Sequence, residues 1–329
     1  MIDQLLASMQ VVSLPLKRKF RGITQREITL IHGPAGWGEF APFLEYGDSE
    51  SSNWLLSAID AATNPAPMAH RGLIKVNATL PALNSEEEIE ELLQSFSSCD
   101  TVKIKVGENL AEDIARVVRV RALMPGAKIR LDVNGSWGVD QALSSLYSIY
   151  EEVGPIEYVE QPCETLAELR ELKRKLKVAI KITGDEVIRK AADPFALDLT
   201  DAIDILMLKV APLGGITRAR EIAAHHQLPL VVSSALDSAV GISYGLQLAA
   251  SLPTLDYACG LATGRLLSAD VAQLPLVDGQ IAVSTVSPDA SMLAKYAVPV
   301  ERLTWWKDRA KRAFYAGAES EVKARGWNW

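Results

Sequence analysis

Five apolar runs in this chain close on charged residues of the kinds that move protons and hold cations. In order they carry Lys103 and Lys105, Asp132 followed by Asn134, Glu160, Asp185-Glu186, and Lys209. A sixth run ends in Ser233-Ser234. A charge that closes an apolar strand is costly to bury alone, so it sits at a rim, pairs, or binds a ligand. One such residue is as a rule a solvated rim charge. Five successive strand ends reading Lys, Asp, Glu, Asp and Lys make that explanation weak.

Strand alternation puts Lys103 and Lys105 on one face, and Asp132 and Asn134 on one face. If their strands are neighbours, Asp132, Glu160 and Asp185 can converge on one hard cation. Oxygen-only ligation with open positions suits Mg²⁺, with Mn²⁺ as a substitute, better than Zn²⁺. Lys105 and Lys209 would then flank a small carboxylate substrate from opposed strands. A lysine near a cation and other lysines has its pKa pushed below the usual ~10.4 and can serve as a base. Such a set is equipment for removing a proton α to a carboxylate, with the cation stabilising the enediolate.

The elements that must position these groups follow from periodicity. Candidate strands are Ile74–Thr79, Val102–Val106, Lys128–Val133, Tyr158–Glu160, Ala179–Thr183, Ile203–Leu208, Leu230–Val232 and Leu255–Ala258. Helical spacing lies between them at Glu86–Phe96, Leu110–Leu123, Val139–Tyr150, Leu166–Leu176, Ile216–His226 and Ser238–Ala250. Alternation of this kind predicts βα units on a parallel sheet, and this many strands favour a closed barrel, whose catalytic groups gather at the strand C-termini. An open doubly wound sheet would need a glycine-rich phosphate loop after its first strand, and Val76-Asn77-Ala78-Thr79 leads into none.

Before residue 74 the pattern is different. Val11–Lys19, Gln25–His32 and Trp37–Phe40 alternate as strands, with Gly33-Pro34-Ala35-Gly36 as the turn between the last two, and Ser52–Ala62 is helical. The reading is an α+β unit over residues 1–73 and a barrel over 74–283. The tail 284–329, with Trp305, Trp306, Trp327 and Trp329, packs back on the first unit.

Composition fits a soluble globular enzyme: 48% hydrophobic, 23% charged. Thirty-four basic against forty-one acidic residues leave a net charge of −7, which disfavours nucleic acid and acidic lipid as partners. Cys99, Cys163 and Cys259 are widely spaced and odd in number, as suits a reducing cytoplasm. Asp3 interrupts the apolar start and no basic stretch precedes it, so no secretory signal is expected, and no apolar run reaches the ~18–20 residues of a membrane span. The oligomeric state is left open.

Lys103-Ile104-Lys105, Asp132-Val133-Asn134, Glu160-Gln161-Pro162, Gly184-Asp185-Glu186, and Lys209 followed by Gly214-Gly215 occur here in one order at barrel spacing. In these motifs the chain resembles the muconate-lactonizing-enzyme-like branch of the enolase superfamily, where a lysine base works with Mg²⁺. The resemblance implies a modified (β/α) barrel of the enolase type with an α+β capping domain. The absence of a histidine at Ser233-Ser234 disfavours the mandelate-racemase-like branch; His32, His70, His225 and His226 read as surface or capping positions.

Phe20-Arg21-Gly22-Ile23-Thr24 and the segment from Gly36 to Tyr46 are similar to the capping segments of the actinobacterial o-succinylbenzoate synthase group. That likeness implies a hydro-lyase that dehydrates 2-succinyl-6-hydroxy-2,4-cyclohexadiene-1-carboxylate to o-succinylbenzoate in menaquinone synthesis. It implies Lys105 as proton acceptor, Lys209 as a fixed ammonium, and Lys103 tuning Lys105 or touching the carboxylate. Asn134 and Glu186 would support the ligands. Ser233, Ser234 and the loop from Gly260 would hold the succinyl side; Arg21 reads first as an exposed structural arginine of the capping loop, with covering the pocket as its alternative role. N-acylamino acid racemase and dipeptide epimerase activities are the alternatives on the same site, since they need the same two lysines. A carboxylate-binding module without catalysis is the alternative of another class, and it would need neither lysine.

Overall fold

The computed structural model describes residues 1–96 and 98–329. Helix α1 (Ile2–Ser8) precedes an antiparallel sheet of β1 (Gln10–Phe20), β2 (Ile23–Gly33) and β3 (Gly36–Phe40), and α2 (Asp48–Thr63) packs on that sheet. The strand-helix contact is close because Gly38 lacks a side chain: a Cβ there would lie 2.0 Å from the carbonyl oxygen of Ala58. Trp54, Leu55 and Ile59 of α2 are buried against Ile28, Leu30 and Phe40 in one continuous core.

The chain then enters a curled parallel sheet. Strand β4 (Leu73–Lys75) is followed by β5 (Ala78–Leu80), α3 (Glu86–Ser95), β6 (Thr101–Lys105), α4 (Leu110–Leu123), β7 (Lys128–Asp132), α5 (Val139–Val153) and β8 (Tyr158–Glu160). Next come α6 (Leu166–Lys175), β9 (Lys181–Gly184), α7 (Glu186–Arg189), β10 (Ile205–Lys209), α8 (Ile216–His226), β11 (Leu230–Ser233) and α9 (Ala239–Ser251). Seven strands pair in the order β5-β6-β7-β8-β9-β10-β11. The helix starts are chemically marked. Asn109 accepts from the amides of Ala111 and Glu112, Thr165 and Glu168 form a capping box, and Ser238 caps α9.

Two expectations change here. The run Ile74–Thr79 is not one strand: β4 joins a small antiparallel sheet with β12 (Leu276–Val277) and β13 (Gln280–Ala282), and β5 alone enters the barrel. The eighth strand expected at Leu255–Ala258 is absent. In its place Cys259 bridges Val76 and Gly260 bridges Ser233, so single parallel bridges close the ring. Gly260 permits this approach, since a Cβ on it would fall 2.3 Å from Ser233 Oγ.

The tail forms α10 (Ala290–Lys295), α11 (Val300–Ala313) and α12 (Glu319–Arg325). Trp306 is fully buried edge-on to Phe40, and its indole nitrogen donates to Glu27. Trp306 thus joins α11 to the first unit, while Trp305 is exposed and Trp327 and Trp329 are only partly buried. Among the described residues no helix is long and apolar enough to cross a membrane.

Candidate active site

Strand alternation inside the barrel makes two layers. Tyr158, Ile205, Met207 and Val231 form a separate buried cluster with Tyr257. Arg130 lies over the Tyr158 ring at 4.6 Å and donates to Glu157, Asn77 and the Ala258 carbonyl. One step toward the strand C-termini, Lys105 registers with Asp132, Asp132 with Glu160, and Lys209 with Ser233. The period of two thus stacks a polar layer on a plugged floor.

In that layer Asp132, Glu160 and Asp185 are at most 3% exposed. Three ammonium groups lie between them. Lys103 Nζ is 3.1 Å from Asp132 Oδ2 and 2.8 Å from Glu160 Oε2, and Lys105 Nζ is 2.8 Å from Asp132 Oδ2. Lys209 Nζ is 2.5 Å from Asp185 Oδ2 and 3.5 Å from Glu160 Oε1. Asn134, just past β7 in the left-handed region (φ 53°), accepts from Lys105 and donates to Glu186 at 3.0 Å. The two lysines expected to face each other and the three carboxylates expected to converge are therefore in one cluster.

The same surroundings shift the groups in opposite directions. Burial, reinforced by the Lys103 charge, lowers Lys105 despite Asp132 beside it. Burial would lower Lys209 too, but the Asp185 and Glu160 carboxylates outweigh it and raise the group. Lys103 is likewise raised by Asp132 and Glu160 against burial. Burial, then the Asp132 charge, raises Glu160, whereas the lysines overcome burial to hold Asp132 low.

Among the described residues no three acidic, imidazole or thiol groups already stand close enough to cage an ion. The ammonium groups occupy the space between the carboxylates. The donor set nevertheless fits a hard divalent cation. It is all oxygen, it comes from three adjacent strand ends, and Asp132 Oδ1 is buried without a hydrogen-bond partner. Occupancy would require the lysines to yield some of the inner oxygens.

Above the cluster is a cleft of about 560 Å³, its open mouth included. Thr79, Lys103, Lys105, Asp132, Asn134, Lys209, Ser233, Ser234, Leu236 and Thr263 line it from the barrel, and Phe20, Arg21, Phe43, Tyr46 and Trp54 from the first unit. Ser234 is committed to the loop, donating to the Gly260 carbonyl at 2.5 Å and lying 2.7 Å from Thr263 Oγ1. Gly260 sits behind Ser233. Arg21 stacks on Phe43 at 4.2 Å and reaches Tyr46.

Several positioning groups carried no clear mark in the sequence. Gln161, fully buried, accepts from the amides of Asp185 and Val187 and donates to the Cys163 carbonyl. Its place between Glu160 and Pro162 was the one available hint. Arg116, paired with Asp113 on α4, donates to the Lys105 carbonyl at 2.8 Å and so fixes the end of β6. Arg189 contacts Asp185, Glu186, Glu50 and Tyr46.

Residues 85–288 match the family model described as enolase C-terminal domain-like, and residues 11–62 the one described as enolase N-terminal domain-like. The o-succinylbenzoate synthase of Mycobacterium ulcerans is 49% identical over 317 residues, 95% of each chain. That of Mycobacterium tuberculosis is 48% identical over the same span. The chain belongs to the o-succinylbenzoate synthase family of the enolase superfamily. Members of the superfamily depend in general on a divalent cation. The fold agrees with solved members. Muconate lactonizing enzyme from Pseudomonas fluorescens superposes with a TM-score of 0.75 at 22% identity, covering 88% of this chain and 98% of its own. The L-Ala-D/L-Glu epimerase from Bacillus subtilis gives 0.70 at 23% identity, over 84% and 95%.

Proposed function

We propose that this chain dehydrates 2-succinyl-6-hydroxy-2,4-cyclohexadiene-1-carboxylate to o-succinylbenzoate, as a Mg²⁺-dependent hydro-lyase of menaquinone synthesis that also accepts Mn²⁺. The unequal setting of the two lysines carries this reading. Lys105 has a lowered pKa and faces the cleft, whereas Lys209 is held as an ammonium by Asp185 and Glu160. A dehydration needs that asymmetry: one group exchanges the proton and the other stays charged.

Lys105, as the amine, takes the proton from the carbon α to the ring carboxylate. As the resulting ammonium it returns that proton to the departing hydroxyl, which leaves as water. Lys209 faces the negative charge that builds during the first step, and Lys103 keeps a second positive charge beside Lys105. Asp132, Glu160 and Asp185 would hold the cation, which supplies further positive charge for the substrate carboxylate when bound. Asn134 and Glu186 orient Lys105. Ser233 would meet the succinyl arm, and Ser234 would support that wall of the cleft through its bonds to the Gly260 carbonyl and Thr263.

The division into a capping unit (1–73, with 284–329) and a catalytic barrel (74–283) belongs to the same reading. It is supported by the packing of α2 on β3 and of α11 on α2. The three free, buried cysteines suit a cytoplasmic location.

The deciding assay follows dehydration of the cyclohexadiene substrate with and without EDTA. We expect turnover that EDTA removes and Mg²⁺ restores, and none in Lys105→Ala, which should still bind Mg²⁺ in a calorimetric titration. Retained turnover in Lys105→Ala would falsify the assigned role.

A further inference from the structure

Five hydrogen bonds run without a break from Lys105 to the first unit. Lys105 donates to Asn134 Oδ1, and Asn134 Nδ2 donates to Glu186 Oε1 at 3.0 Å. Arg189 donates to that same oxygen at 2.8 Å and, through its other terminal nitrogen, to the Tyr46 hydroxyl at 3.4 Å. Arg21, at the β1–β2 hairpin tip, donates to Tyr46 as well, at 3.4 Å.

The direction of each bond is set by charge. The Asn134 amide has an ammonium at its oxygen end and a carboxylate at its nitrogen end, so it has one favourable orientation. Arg189 is 7% exposed and stands where the path leaves the barrel, between Glu186 of the barrel and Glu50 and Tyr46 of the first unit. Its planar fork can serve both sides at once, which a lysine point charge does less well. Tyr46 is itself held, because Arg309 of α11 donates to the Phe43 and Tyr46 carbonyls at 2.7 and 2.8 Å. The cleft-side end of this path is thus anchored to the first unit's core, and its other end is the proton-transferring amine.

We propose that Arg189 is a positioning residue that transmits the seating of the first unit, through Glu186 and Asn134, to the orientation of Lys105. This rests on the assignment of Lys105 as the base. The coupling means that the amine is aligned only when Arg21 and Tyr46 are in place over the cleft, so proton transfer waits on a covered site.

Tyr46→Phe tests this with the loss of one hydroxyl, and Arg189→Met and Arg189→Lys test the centre of the path. For Tyr46→Phe we expect kcat to fall roughly 3- to 10-fold, the scale of one hydrogen bond. KM should stay within about twofold, the melting temperature and the Mg²⁺ titration should be unchanged, and the α-deuterium isotope effect on kcat should be at least as large as in the unmodified enzyme. Arg189→Lys should recover part of what Arg189→Met loses, and Tyr46→Phe combined with Arg189→Met should be no slower than Arg189→Met alone. The proposal is overturned by a normal kcat in Tyr46→Phe, by a change confined to KM, or by losses that multiply in the double variant. Lys105→Ala, assayed alongside, separates the two levels. Turnover retained there removes the base assignment itself, whereas a dead Lys105→Ala with a fully active Tyr46→Phe removes only the coupling.

Discussion

Replacing Lys103 by Met removes one ammonium from the centre of the site while keeping most of the side-chain volume. Lys103 Nζ touches Asp132 Oδ2 at 3.1 Å and Glu160 Oε2 at 2.8 Å, in a region where all three residues are buried. Breaking a buried ion pair from one side costs about 3–5 kcal/mol, because the remaining charge is left without compensation. Here Asp132 Oδ2 keeps Lys105 at 2.8 Å, and Glu160 keeps Lys209 on its other oxygen at 3.5 Å. The loss therefore belongs at the lower end, about 3 kcal/mol, and falls mainly on Glu160 Oε2.

A divalent cation should return much of it. A unit charge and a dication ~5 Å apart repel by about 7 kcal/mol at an effective dielectric of ~20, so even a fifth of that relief tightens binding about tenfold. At 100 times the dissociation constant an ion adds about 2.7 kcal/mol to stability, and a tenfold tighter site gains about 1.4 kcal/mol more at the same concentration. The assay is urea unfolding of both proteins across a MgCl₂ series at constant ionic strength. The variant should start less stable and gain more from Mg²⁺. Equal gains in the two proteins would mean that the ion does not sit against Asp132 and Glu160, and the carboxylate assignment would fail with it.

Two further changes probe the join between the units and the first unit itself. Burial, with the Asp237 carboxylate nearby, pushes Glu39 up to about 8, although Ser238 and Gly241 donate to it. The folded state then holds a proton that the unfolded chain releases near its ordinary pKa, so stability should fall as pH rises from about 4.5 to 8, by at most about 5 kcal/mol. Glu39→Gln cannot titrate, so its stability relative to the unmodified protein should improve between pH 5 and pH 8.5; a pH-independent difference in urea midpoints would show that Glu39 is ionised throughout. Gly38→Ala should destabilise by about 3 kcal/mol, since its Cβ would meet a backbone oxygen at 2.0 Å that no side-chain rotation can relieve. An unfolding midpoint within error of the unmodified protein would show that β3 and α2 can separate freely.

What could be read from the chain alone was what repeats or terminates locally. Asp132 and Glu160 close apolar strands, and the helices Leu110–Leu123 and Ile216–His226 have the expected bounds. Ring closure was misread because Leu255–Ala258 is apolar enough for a strand, yet the pairing falls on Cys259 and Gly260, where Ser233 sets how near the backbone can come. Arg189, Gln161 and Arg116 escaped for a different reason. Each is an ordinary polar residue on a helix or loop, and its role exists only through partners that are remote in sequence, such as Tyr46 for Arg189 and the Lys105 carbonyl for Arg116. Strand ends announce chemistry, but the groups that aim them do not.

The count of charges explains why two lysines of one layer can differ. Lys103, Lys105 and Lys209 are matched by Asp132, Glu160 and Asp185, three positive against three negative, so the inner cluster is balanced as it stands. A divalent cation upsets that balance by two charges in a region shielded from water, where uncompensated charge is expensive. The system can respond by admitting an anionic substrate or by releasing a proton. Lys209 is poorly placed to release one, being bound to two carboxylates, and Lys103 bridges two more contacts. Lys105 has one carboxylate contact and a neutral amide, lies beside the Lys103 charge, and opens on the cleft. It is the ammonium that loses least by becoming an amine. Under the proposed assignment, the choice of base is a property of how the counter-charges are distributed among three similar side chains, and moving one carboxylate contact from Lys209 to Lys105 would be expected to exchange their roles.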